Sequence, residues 1–161
     1  MSGQMKRPLA IVLAVAALGH LQEAACAPKD PLCAPLRAFA ASVQPKERQE
    51  FAFHTMWGGP FKDDPSAQVL YEARCIHNSF EPGKAVCSYL MKHGQIEFSD
   101  IDAKRALECL SPATSLGRLR LDSGVFALSY GTDRRGSHVK ILYGEDSEMG
   151  GMVLRIIAEG Y

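Results

Sequence analysis

The chain has no surplus of either charge: 18 Lys and Arg stand against 18 Asp and Glu in 161 residues. Nothing basic in that balance attracts nucleic acid or an anionic lipid surface. There is a single tryptophan. No internal repeat and no low-complexity tract is present. The HExxH, GxSxG and CxxC signatures are all missing, and no P-loop lysine follows Gly150-Gly151. No catalytic set, cofactor or metal is therefore predicted, and nucleic acid is excluded as a partner.

The chain also lacks a long hydrophobic run. Residues 8–19 are apolar, but Gln22 and Glu23 end the stretch well short of the roughly 20 residues a spanning helix needs. Lys6 and Arg7 precede the run and small residues follow it. That order predicts a signal peptide over residues 1–26. A buried core helix has no use for a charge, then an apolar run, then small residues. Cleavage after Cys26 puts Ala24 and Cys26 at the two small-residue subsites, whereas cleavage after Ala27 leaves Pro28 behind the scissile bond. Cleavage before Cys26 would make a lipoprotein terminus, although Glu23 stands where that pattern wants an aliphatic residue. Membrane attachment is expected only if Cys26 is lipidated.

Five cysteines are present. Removing or lipidating Cys26 leaves an even set: Cys33, Cys75, Cys87 and Cys109. An exported chain meets an oxidising compartment, the periplasm or the medium, where such a set forms two bridges. Four cysteines allow three pairings. The simplest joins Cys75 to Cys87 around a local loop and Cys33 to Cys109 between distant helices. A metal site using Cys75 and His77 is the functional alternative, but no second Cys/His pair lies close by.

The mature chain, residues 27–161, is long enough for one domain. Leu36, Phe39, Ala40 and Val43 make a helical stripe over 31–43. Residues 49–57 alternate as a strand, with Phe51, Phe53, Thr55 and Trp57 on one face and Ala52, His54 and Met56 on the other. Gly58-Gly-Pro-Phe61-Lys-Asp-Asp-Pro65 is a loop. The spacing of Val69, Ala73 and Ile76 predicts a helix over 66–76, although Tyr71, Ala73 and Cys75 also fit a strand face. Helices follow over 84–93 and 99–110. From Gly117 the period becomes two, which predicts four antiparallel strands: 117–121, 125–130, 138–143 and 152–158. The fold class is α+β: N-terminal helices on an antiparallel sheet ending in a four-strand meander, stapled by disulfides.

Two surfaces are candidate partner contacts. Trp57 and Phe61 flank a Gly/Pro loop, and exposed aromatics on such loops anchor partners. The alternative is that Trp57 closes its strand inside the core, and if both rings prove fully buried that site fails. The outward row Arg118, Arg120, Lys140 and Arg155 could meet an acidic protein face, or be an ordinary solvated sheet face. Glu145, Asp146 and Glu148 crowd one turn without the calcium-loop pattern. In outline alone the chain resembles small exported bacterial inhibitor or immunity-type proteins, with no shared motif. The expected function is non-enzymatic binding of a protein partner. Two alternatives remain open: a small periplasmic hydrolase using His54 or His138 with a nearby carboxylate, and a structural envelope lipoprotein.

Overall fold

The computed structural model describes residues 30–161. The predicted signal peptide, its cleavage site and Cys26 lie outside the described residues. Within the described residues, three helices and five strands follow in the order α1 (Cys33–Ser42), β1 (Arg48–Trp57), β2 (Tyr71–His77), α2 (Glu81–His93), α3 (Asp100–Leu110), β3 (Gly124–Thr132), β4 (Arg135–Glu145) and β5 (Met152–Gly160). The strands form one antiparallel sheet in the order β2-β1-β5-β4-β3. The helices cover one face of it. This is the α+β architecture the hydrophobic periods imply.

Alternation decides which side chains meet the helices. Phe51 and Phe53 of β1, Val139, Ile141 and Tyr143 of β4, and Leu154, Ile156 and Ala158 of β5 point to the helix side and are buried. They pack against Leu36, Phe39 and Ala40 of α1, Val86 and Leu90 of α2, and Ala103, Ala106 and Leu110 of α3. Phe39 meets Phe51 edge to face at 5.1 Å, and each such ring removed from water contributes roughly 1.5 to 3 kcal/mol.

One bridge ties α1 to α3 and the other ties β2 to α2. Cys33 joins Cys109 with 4.8 Å between Cα atoms, and Cys75 joins Cys87 with 5.4 Å. Both are the simplest pairing by position. Two such bridges belong to an oxidising, non-cytoplasmic compartment. Among the described residues no helix is long and apolar enough to cross a membrane.

Two expected elements are corrected. Residues 71–77 form a strand, not part of a helix. The period-two face of Tyr71, Ala73 and Cys75 wins because β1 offers a full ladder, pairing Phe53 with Cys75 and Trp57 with Tyr71. Tertiary pairing overrides a weak local preference. The segment 117–121 is not a strand, so the meander has three strands, β3 to β5. Gly117 turns the chain at φ +51°. Glu108 accepts the Leu116 N–H at 2.8 Å and Lys104 donates to the Leu119 carbonyl at 2.8 Å. The segment is thus tied to α3 by side chains, and Leu119 stands exposed.

Candidate functional site

The sheet face opposite the helices carries Glu50, Ala52, His54 and Met56 of β1, Glu72, Arg74 and Ile76 of β2, Val125, Ala127 and Ser129 of β3, His138, Lys140 and Leu142 of β4, and Val153, Arg155, Ile157 and Glu159 of β5. Two connections fold over one end of this open face. One is the loop between β1 and β2, and the other is the hairpin between β4 and β5.

The hairpin reaches the sheet because Gly150 and Gly151 take φ of +81° and +70°, a conformation side chains resist. A Cβ on Gly151 would run into the Thr55 carbonyl and the Met56 backbone. Asp146 organises this turn. Its Oδ1 accepts the N–H groups of Glu148 at 2.9 Å and Met149 at 3.1 Å. Its Oδ2 lies 2.6 Å from Nδ1 of His54, which is 4% exposed. Burial pushes the Asp146 carboxyl up, but the two N–H groups and the His54 ring outweigh it and hold the carboxyl below its usual range. An ionised carboxylate only accepts, so Nδ1 of His54 carries the proton and donates. Nε2 of His54 is buried and has no partner among the described residues.

His54 and Asp146 line a groove of about 730 Å³. Its floor is Ala52, Leu142 and Val153, and Val125 and Ile76 stand at its sides. Glu145, Glu148 and Arg155 also line it.

The β1–β2 loop separates the two predicted aromatic contacts. Gly58 donates its N–H to the Leu70 carbonyl at 2.8 Å, closing the loop at its base. Trp57 remains 49% exposed and stacks on Tyr71, with ring centroids 6.0 Å apart and 11° between planes. Val69, Leu70 and Tyr71 are exposed beside it. Phe61 is different: it is fully buried and makes no surface contact. Glu72 accepts its N–H at 3.1 Å, and the Arg74 guanidinium lies over its ring at 5.0 Å. The backbone anchor turns the loop back on itself and takes the ring inside.

The predicted basic row also comes apart. Lys140 and Arg155 share the open face as diagonal neighbours on β4 and β5. Arg118 and Arg120 are exposed on the segment tied to α3 and do not join them. His54 and His138 share a face but not a pocket. They stand opposite Val153 and Glu159 of β5, about 20 Å apart at a strand rise of about 3.3 Å per residue. His138 instead meets Ser129 at 3.2 Å and the ring of Tyr161. Cys75 cannot serve a metal with His77, since its sulfur is in a disulfide. Among the described residues no three His, Cys, Asp or Glu side chains converge as metal ligands.

Asp146 is the residue that sequence reasoning missed. It lies 92 positions from His54, inside a turn that reads as a solvated acidic cluster. The only local signal is an Asp two and three residues ahead of free N–H groups beside paired glycines, which marks a turn and not a partner for a histidine. Compared with models of protein families, with curated proteins and with solved structures, the chain matches none.

Proposed function

We propose that this chain is an exported, non-enzymatic binding protein of the periplasm or the medium, and that it holds a protein partner through Trp57. The observation that carries the reading is the half-exposed Trp57 stacked on Tyr71, with Leu70 and Val69 completing an apolar patch. A stacked pair is rigid, so little conformational entropy is lost when a partner covers it. Tryptophan and tyrosine are also the side chains on which interface energy concentrates. The two disulfides and the charge-then-apolar order of the first residues support export.

The test is a photo-reactive benzoyl-phenylalanine at position 57, with the same group at position 119 as control. Leu119 is an equally exposed apolar residue elsewhere on the chain. Irradiation of cells exporting the protein is expected to give one discrete adduct from position 57 and none from 119. Equal smears from both positions, or no adduct from 57, would remove the patch as an interface.

A hydrolase using His54 has one observation in its favour, the 2.6 Å contact by which Asp146 orients the ring. That is the arrangement of a general base and its orienting acid. It predicts turnover of activated esters that disappears in His54→Asn. An unchanged rate in that variant removes this reading.

A further inference from the structure

The two outer strands of the sheet differ in how they meet solvent. β2 carries Glu72 and Arg74, and Arg74 pairs with Glu72 at 3.2 Å and with Asp63 of the neighbouring loop. Charges on an edge strand keep it from pairing with another chain. β3 holds no Lys, Arg, Asp, Glu or Pro from Gly124 to Thr132. Its ladder with β4 runs without a bulge from the Gly124–Tyr143 pair to the Thr132–Arg135 pair. Among the described residues no strand or loop backbone bonds to its other side.

Register decides which backbone groups that edge presents. Gly136 of β4 exchanges both of its backbone bonds with Tyr161, at 3.4 and 3.0 Å. Its groups therefore face the β5 side, and those of its neighbours Arg135 and Ser137 face β3. Their partners Thr132 and Tyr130 then bond to β4, and Leu128 and Phe126 follow by alternation. The N–H and C=O groups of Val125, Ala127 and Ser129 point outward.

This edge is complementary to itself. Antiparallel overlap along the whole strand sets Gly124 against the partner's Thr132 and puts a two-fold axis at Leu128. Ala127 then faces the partner's Ser129, so outward backbone meets outward backbone. On the helix side Phe126 faces the partner's Tyr130. Phe126, Leu128 and Tyr130 are half-buried against the core, and the pairing carries that apolar row on into the second copy. The charges agree with the same register. Asp122 lies two positions before the strand and Arg134 two positions after it, both exposed. Neither has an ion-pair partner among the described residues. At each end Asp122 comes beside the partner's Arg134.

We propose that two copies of this chain pair through β3, antiparallel about Leu128, so that their sheets become one. Each copy offers one uncharged edge, so the pairing closes at two. Trp57 ends β1 beside β2, on the far side of the sheet. The dimer therefore leaves the Trp57 patch open on both copies, and it does not depend on the partner proposed there.

Sedimentation of the oxidised chain from micromolar to millimolar concentration is expected to show monomer passing to dimer and nothing larger. Amide exchange on the ¹⁵N-labelled chain locates the contact. The amides of Val125, Ala127 and Ser129 are expected to slow at least tenfold in the dimer, and those of Phe126 and Leu128, bonded to β4 in both states, to change less. Ala127→Pro removes an outward N–H and leaves the β4 ladder intact, and it is expected to hold the chain monomeric. Asp122→Arg and Arg134→Asp should each weaken the dimer several-fold. Combined in one chain they should restore it, since opposite charges again face each other. The charge variants carry the test if the proline variant does not fold. A monomer at every concentration overturns the proposal, and so do assemblies that grow beyond two. A dimer that survives Ala127→Pro, with the outward β3 amides exchanging at the monomer rate, would mean that the copies meet elsewhere. A double charge variant no stronger than the single ones rejects the register about Leu128.

Discussion

Asp146 carries three roles in one side chain: it caps its own turn, holds His54 and keeps the hairpin against the sheet. Its carboxyl lies below the usual range in the folded chain. Its stabilisation is therefore complete above the unfolded value, about pH 4, and is lost as pH falls through the lower folded value. Asp146→Asn is expected to cost about 2 kcal/mol at pH 7, read by urea unfolding. Between about pH 4 and pH 2 the variant should lose less stability than the parent, because the titrating group has gone. A difference between the two proteins that stays constant over that window would show that Asp146 is not held as an anion. At the same scale, Phe61 and Trp57 make opposite predictions despite lying four positions apart. Phe61→Ala empties a fully buried site and is expected to cost about 3 to 5 kcal/mol. Trp57→Ala removes a half-exposed ring and its stacking, and is expected to cost about 1 kcal/mol or less. Thermal unfolding of the pair distinguishes a core residue from a contact residue directly.

At the scale of elements, the β4–β5 hairpin depends on paired glycines. Gly151→Ala puts a Cβ at φ +70°, against the Thr55 carbonyl and Met56 backbone. Strain of this kind costs about 1 to 3 kcal/mol. Gly117→Ala meets nothing within 4 Å at φ +51° and is expected to cost about 1 kcal/mol. Denaturant midpoints rank the two, and equal costs would mean that the hairpin does not press on β1. The helix layer has its own node. Arg105 of α3 donates to Asp30 ahead of α1, to Asp102 in its own helix at 2.8 Å and to Tyr89 of α2 at 2.9 Å. Burial pushes the Asp102 carboxyl up, while Gln95 and Arg105 oppose it. Arg105→Leu leaves that fully buried carboxylate without its cation and is expected to cost about 3 to 5 kcal/mol. A variant within 1 kcal/mol of the parent would mean that Asp102 is satisfied without Arg105.

For the whole molecule, the two bridges differ in reach. Cys33–Cys109 spans 76 positions and Cys75–Cys87 spans 12. Loop-closure entropy then assigns about 4.5 kcal/mol to the first and about 3 kcal/mol to the second. Paired Cys→Ala replacement of the long bridge is expected to lower the urea midpoint more than replacement of the short one. The reverse order would show that the unfolded chain keeps α1 near α3 without the bond. Among the described residues the same global geometry leaves one sheet face without helices, and there the groove lined by His54 and Asp146 sits.

Much of this arrangement was determined by the sequence alone. Period two and period 3.6 are local steric facts, so Phe51 and Phe53, Leu36 and Phe39, and the alternation of β4 and β5 announce which side is buried before any partner is known. The four cysteines after residue 30 point to two bridges, since the compartment and not the fold selects oxidation. The strand at 71–77 was ambiguous, because seven residues fit both periods until β1 provides a ladder. The segment 117–121 alternates in composition but is held to α3 by Glu108 and Lys104, whose reach no periodicity encodes. Only the tertiary structure decided that Phe61 turns inward while Trp57 stays out, and that Asp146 meets His54. Such contacts depend on strand register and loop closure between residues far apart in the chain, and a side chain carries no local mark of the partner that folding brings to it.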